Sequence, residues 1–416
     1  MIFFACTEGA DDVVPEIKLE TSSVDFTEEG GSSTINFTSA DSWTAEVINN
    51  STDTWCSVSP TSGSAGNVKI TITATVNDTA DDRTAAVYIK SGTISSKISV
   101  TQGASINKIP DNQIWYTNGS ATEATTPDAP DVFGANIVSN KFDIDKGYWV
   151  ITFDDSVTMI GDGAFACCEN LTSVTIPNSV TSIGMLAFFG CTSLISVTIP
   201  DSVTSIGNSA FECCYSLTSF YGKFASSDNR CLIIDGVLKS FAPALLTRYT
   251  IPDSVTKIGA YAFGHCEMLS EVTIPNSVTE IKFGAFWGCS NLNGVTIPNS
   301  VTEIGDYAFV DCRSLTRMTI PNGVTSIGDS AFCGCTSLTS VTISDSVTSI
   351  GEMAFRDCES LTSVYCKPIT PPTGGSSMFD YNASNRRIYV PTTSVDAYRL
   401  ANYWSDYASV ILGYNF

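Results

Sequence analysis

The chain has 416 residues, 43% of them hydrophobic, which is enough for two or more domains with cores of their own. Its 21 lysines and arginines stand against 43 aspartates and glutamates, a formal net charge of −22. A surface of that sign repels nucleic acid and anionic membranes, so neither is expected as a partner.

In chain order, the first residues, MIFFAC, hold too few apolar positions to span a bilayer. Phe3-Phe4-Ala5-Cys6 resembles a lipobox, with the small Ala5 before the cysteine and Phe3 where leucine is usual. Ala10-Asp11-Asp12 resembles the acidic surface-export signal of Bacteroidetes lipoproteins. The resemblance implies that residues 1–15 are a lipoprotein-type N-terminus and tether, lipidated at Cys6. It further implies an exported outer-membrane lipoprotein facing the cell exterior, with the lipid as its only membrane contact.

Residues 16–104 alternate apolar and polar positions in short runs such as TINFTSA, WTAEVI, VKITITATV and AAVYIK, separated by Gly/Ser/Asn turns. That pattern predicts a β-sandwich of about seven strands. Trp55, Val58, Ser59, Pro60, Gly63, Asn77, Arg83 and Gln102 resemble the BACON domain, an immunoglobulin-like module. The resemblance implies carbohydrate-linked neighbours. Residues 105–149, rich in Asn, Asp, Thr, Ala and Pro, are expected to be a linker and the N-terminal cap of the next domain.

From residue 150 the chain repeats itself. Ala-Phe pairs end at Phe165, Phe188, Phe211, Phe263, Phe286, Phe309, Phe332 and Phe355, spaced by 23 except for one step of 52. Cysteine follows each Phe by three residues, and Ile and Leu columns keep the same step. A fixed period of this length means a solenoid. In V-T-I-P the Val and Ile face inward and Thr outward, and Pro ends the strand for want of an N–H. The glycine after the isoleucine column suits a tight bend, although Lys282 replaces it once. The A-F-x-x-C-x-x-L segment has the spacing of a short helical turn. About eight side chains per unit point inward, and only a neighbouring unit hides them.

This pattern resembles the 23-residue leucine-rich repeats of BspA-type bacterial surface proteins. The fold class is therefore mixed but mainly β: an immunoglobulin-like sandwich, then a leucine-rich-repeat solenoid with a parallel sheet over residues 150–366. An irregular coil at residues 220–248 carries Asp235-Gly236 between two apolar runs, a hairpin signal. Residues 367–416 are expected to cap the last coil, with a strand Ile388-Tyr389-Val390, a helix over residues 394–402, and Trp404 and Tyr407.

Chemistry-bearing residues are few. Fifteen cysteines include no C-x-x-C pair, and eight form an inward column suited to packed thiols rather than to metal or disulfides. The single histidine, His265, occupies a variable outward position with no nucleophile motif beside it, so it reads as a surface residue. No phosphate loop or Ca²⁺ loop occurs, and neither cofactor nor metal is expected. The chain reads as non-enzymatic and monomeric.

What remains is binding. The strand face exposes a threonine column, and a neighbouring column changes from Ser to Arg248, Glu271 and Arg317, bordered by Tyr221 and Tyr365. These five residues are the expected docking strip, since Arg and Tyr are favoured interface anchors. The BspA resemblance implies adhesion to host or bacterial surface proteins or glycans. The alternative is a carbohydrate-binding accessory protein acting on mucin-type glycans through the BACON-like domain, with the solenoid as scaffold.

Overall fold

The structure, a computed structural model, describes residues 17–49, 54–77, 83–103, 109–125, 127 and 130–416. Cys6 and the acidic tail after it lie outside the described residues. Two compact units are present, Met1–Lys108 and Ile109–Phe416.

In the first unit the strands are β1 (Ile17–Leu19), β2 (Ser23–Phe26), β3 (Gly31–Ser39), β4 (Trp43–Asn49), β5 (Cys56–Ser59), β6 (Ser62–Gly63), β7 (Gly66–Ala74), β8 (Arg83–Ser91) and β9 (Ile94–Gln102). They form two sheets, β1-β3-β7-β5 and β2-β9-β8-β4-β6. Nine strands stand where about seven are expected, because two sequence runs each change sheet partway. The run IKLETSSVDF pairs with β3 through its first half and with β9 through its second. Alternation supplies the core: Ile35 and Phe37, Ile70 and Ile72, Val87 and Ile89, and Ile98 and Val100 are all buried. Trp43 meets Phe37 edge-on at 5.1 Å. Gly63 is required there, since a Cβ on it would come within 2.8 Å of the Trp43 ring.

The second unit begins with β10 (Gln113–Thr117), β11 (Ile137–Asp143) and β12 (Tyr148–Phe153), an antiparallel trio. β12 is the strand of the first repeat, and β10 lies antiparallel between it and the second, Ser173–Thr175, so the N-terminal cap is hydrogen-bonded into the solenoid sheet and the parallel pairing begins only after it. From there each coil adds two parallel rungs. Ser173–Thr175 pairs with Ser196–Thr198, and Ser182–Ile183 with Ser205–Ile206. The inward columns are buried as the repeat predicts, save for half-buried Cys168 and Val295; in one coil Leu171, Val174, Ile176, Val180, Ile183, Ala187, Phe188 and Cys191 are all at most 5% exposed. The phenylalanines stack: Phe309 and Phe332 lie 5.1 Å apart with their planes 2° off parallel.

The third side of the coil is not a helical turn. N–H groups alternate between two destinations. Ala166 and Cys168 donate back to Gly163 and Phe165 of their own coil, whereas Phe165 and Cys167 donate to Ala187 and Phe189 of the next. A helix keeps every bond within its own segment, so it cannot form this ladder. The alternation places two residues per coil in the left-handed region, two before and two after the phenylalanine, as in Leu186 (φ 58°) and Cys167 (φ 56°). The glycine that follows isoleucine is not one of them. At Gly184 the glycine allows a close approach instead, because a Cβ there would lie 2.5 Å from the Asp162 amide.

The irregular coil forms the expected hairpin, Cys231–Ile234 with Val237–Phe241, turning at Asp235 (φ 50°) and Gly236 (φ 75°). It interrupts the phenylalanine stack and divides the buried residues into two clusters. Leu232 and Ala242 belong to the N-terminal one, and Cys231, Leu238 and Phe241 to the C-terminal one. At the far end the ladder continues past residue 366. Thr373–Gly374 and Arg387–Pro391 extend the two parallel sheets, and Phe379 stacks on Phe355 at 5.6 Å. Helix α1 (Val395–Leu400) then brings Tyr398, with Trp404 and Tyr407 after it, over the end of the core. Tyr398 and Trp404 satisfy their polar atoms on the Pro368 and Pro372 carbonyls, each at 2.8 Å.

Candidate binding faces of the solenoid

On the strand face, the five expected docking residues do not form one strip. Tyr221 ends the first solenoid sheet, and the hairpin separates it from Arg248, which opens a second sheet. Arg248 and Glu271 sit on paired strands and form an ion pair at 3.1 Å. Exposed as they are, this pair is worth about 0–1 kcal/mol. Beside them, Glu271, Asn276, Asn293, Gly294 and Asn299 line an open groove of about 540 Å³. Arg317 opens a third sheet, whose middle strand holds Tyr365. Tyr365 belongs to an aromatic group there, stacked on Tyr389 at 5.0 Å and edge-on to Tyr414 at 5.6 Å.

A denser aromatic group lies on the turn side. Tyr261 faces Trp287 at 5.9 Å, and Trp287 stacks on Tyr307 at 5.4 Å with 10° between planes. Phe283, 39% exposed, closes the group against Tyr261 at 5.4 Å and Tyr307 at 5.1 Å. Three successive coils contribute. Gly284 makes the slot, since a Cβ on it would meet the Tyr261 ring at 2.9 Å. Sequence reasoning missed this group by looking for variation only on the strands. The available signal was four aromatics in columns that other coils fill mainly with Asp, Glu, Ser, Gly or Met.

His265 is not a solitary surface residue. Its Nε2 lies 3.8 Å from Oε1 of Glu212, whose side chain is only 6% exposed. Cys213 completes a group of three whose ligand atoms all fall within 4.8 Å of one another. Burial pushes the Glu212 carboxyl up, opposed by a hydrogen bond from Ser209 and by His265. The Cys213 thiol is also pushed up, first by burial, although Tyr215 hydrogen-bonds to it. A thiol pushed up in this way lacks the lowered pKa that activates a nucleophilic cysteine.

The BspA type leucine rich repeat region matches in six copies, over residues 135–228, 238–362 and 302–402, more than half of the chain. The chain belongs to the BspA-type leucine-rich repeat family. Ahead of the repeats, residues 16–105 match a BACON domain, described as viral. None of the curated proteins matches the chain. Among solved structures, a leucine rich cell surface protein of Faecalibacterium prausnitzii A2-165 is 36% identical over 50% of this chain, with a TM-score of 0.47. The match takes in 57% of that protein's own chain, little more than half its length. The pneumococcal vaccine antigen PcpA is 20% identical, over 63% of this chain and 66% of its own, with a TM-score of 0.48. A leucine-rich repeat protein of Eubacterium ventriosum ATCC 27560 is 23% identical, over 55% and 81%, with a TM-score of 0.42.

In this BspA-type protein the residues that carry the BACON resemblance hold the sandwich together. Arg83 lies over the Trp55 ring at 4.6 Å and donates to Gln102 and to the Thr75 and Val76 carbonyls. Gln102 in turn donates to the Thr27, Glu28 and Thr75 carbonyls, and Asn77 to Gly103. A buried network satisfied to this degree fixes one end of the sandwich. Among the described residues no helix is long and apolar enough to cross a membrane. A BspA-type repeat array behind a BACON domain supports a binding or scaffold role.

Proposed function

We propose that this is a non-enzymatic surface protein, exported and lipid-anchored through Cys6, whose solenoid docks a protein on a host or bacterial surface. The observation that carries the reading is the turn-side aromatic group Tyr261, Phe283, Trp287 and Tyr307. Tyrosine and tryptophan are the side chains most often found as interface anchors, and rings already stacked lose little entropy on binding. The chain carries a net charge of −22, which favours a partner with a basic surface.

A second reading puts glycan binding on the sandwich. It is favoured by an open groove of about 570 Å³ there, lined by Lys18, Glu20, Asn36, Asn67 and Lys69 among others. One experiment separates the two. An array of extracellular-matrix proteins and mucin-type glycans is probed with the full chain, with Trp287→Ala/Tyr307→Ala, and with Arg248→Ala/Arg317→Ala. Loss of protein binding in the aromatic variant, and weaker binding as salt rises, are the expected results. Loss only in the arginine variant moves the site to the strand face. Binding confined to glycans and unchanged in both variants moves it to the sandwich.

A further inference from the structure

The step of 52 residues between Phe211 and Phe263 brings together side chains that no local motif would join. The intervening coil supplies a hairpin but no Ala-Phe turn, so on the turn side the coil of Phe211 lies directly against the coil of Phe263. Glu212 and Cys213 follow Phe211, and His265 lies two residues after Phe263. We propose that Glu212, Cys213 and His265 form a Zn²⁺ site that ties these two coils together across the irregular one.

Four observations carry this. The first is proximity, with the three ligand atoms within 4.8 Å of one another. A tetrahedral ion with bonds of about 2.0–2.3 Å needs them roughly 3.5 Å apart, a closure of about 1 Å that side-chain rotation supplies. The second is the donor set. One carboxylate oxygen, one sulfur and one imidazole nitrogen suit Zn²⁺, whereas Ca²⁺ and Mg²⁺ take oxygen.

The third is space. The cavity lined by Glu212, Cys213, Tyr261, Gly264 and His265 holds about 10 Å³, the room of a single atom-sized guest. The fourth is how the backbone makes way for the ligands. A Cβ on Gly264 would lie 2.7 Å from Glu212 Oε1, and one on Gly288 would lie 2.5 Å from His265 Nδ1. Both glycines therefore leave room for ligand side chains. Gly288 backs the Nδ1 edge of the ring and leaves Nε2 turned toward Glu212. His265, with 37% of its side chain exposed, leaves an open side for water as a fourth ligand.

Tyr261 lines both this cavity and the docking group, so metal binding is read directly and not through docking. Its test uses the full chain under reducing conditions, titrated with Zn²⁺ against a colorimetric chelator, and separately with Co²⁺. The expected results are a Co²⁺ spectrum with thiolate charge-transfer absorption and a rise in melting temperature with Zn²⁺. Cys213→Ser and His265→Gln should each weaken Zn²⁺ by more than the about 10–100-fold typical of outer-shell changes. Cys333→Ser, which alters a half-buried thiol in another coil, should leave the affinity unchanged. Melting curves without metal show that each variant is folded. Zn²⁺ affinity and the Co²⁺ spectrum unchanged in both Cys213→Ser and His265→Gln would overturn the proposal, as would no Zn²⁺ binding by the parent chain.

Discussion

At Cys289 the thiol lies 3.0 Å from the Phe263 carbonyl oxygen of the preceding coil, which also accepts the Cys266 amide. Cys191, Cys214, Cys312, Cys335 and Cys358 repeat the arrangement, each donating to the phenylalanine carbonyl 26 residues earlier. At Cys266 it fails, because the coil before is the irregular one, and the thiol is 3.9 Å from Gly264 instead. Burial pushes the Cys289 thiol up to about 12, so it remains a donor at neutral pH. Cys289→Ala should cost about 1 kcal/mol, the worth of a weak S–H···O contact. Phe286→Ala should cost roughly 3–5 kcal/mol, since it opens a cavity in the stack; urea denaturation of both compares them directly. Alkylation of the native chain, mapped by mass spectrometry, should modify exposed Cys167 and spare Cys289. Labelling of Cys289 before unfolding would contradict this packing. The inward column was legible in the sequence because periodicity reports burial. Its hydrogen bonds were not, because they depend on which carbonyl the neighbouring coil presents. His265 was misread for a similar reason: its partner, Glu212, lies beyond the break in the period, where repeat counting gives no register.

For the coil as an element, the turn side departs furthest from expectation. Spacing of three suggested a helical turn, yet the segment must give every second N–H to its neighbour, which forces two left-handed residues per coil. Glycine marks only some of these positions, such as Gly163, Gly190, Gly284, Gly288 and Gly334, while Leu, Tyr, His, Ser, Cys, Asp and Met occupy the others. A non-glycine residue pays about 1–2 kcal/mol there, against about 0.5–1 kcal/mol of chain entropy for glycine. Leu186→Gly should therefore leave stability unchanged or raise it by up to about 1 kcal/mol, whereas Met185→Gly next to it should lower it. The two melting curves moving in the same direction would refute the strain assignment. Rungs on the short-strand side carry charge as well. Lys257 (2.8 Å) and Lys282 hydrogen-bond to Glu280 and hold its carboxyl below its ordinary 4.5. A lowered folded value gives stabilisation that is present above pH 4.5 and lost as pH falls through the folded value. Glu280→Gln should remove that part of the acid sensitivity, read as a smaller difference in melting temperature between pH 6 and about pH 3.5. Lys282 also explains how a glycine column tolerates lysine: no left-handed backbone is required, and its ammonium has a carboxylate to meet.

Taken whole, the solenoid contains two cores with a shared plate between them. The hairpin gives Leu232 and Ala242 to one and Cys231, Leu238 and Phe241 to the other. Solenoid stability is a sum of nearest-neighbour terms, so cooperativity should weaken where the stack is interrupted. Hydrogen exchange should resolve two protected blocks meeting near the hairpin. Phe241→Ala should lower protection mainly in residues 249–411, and Leu232→Ala mainly in residues 114–220. Uniform loss of protection in both variants would mean that the solenoid unfolds as one body. The regular coils on either side have a different property. Each meets its neighbours through the same buried columns, so an in-frame loss or gain of one 23-residue unit replaces every severed core contact with an equivalent one. Length is thus open to change by recombination, and a lineage can lengthen or shorten the array without refolding it. The aromatic group spanning three coils and the Glu212–His265 junction have no such freedom, because each depends on which particular copies stand side by side. Exchange of repeats would preserve the architecture and erase those two surfaces first.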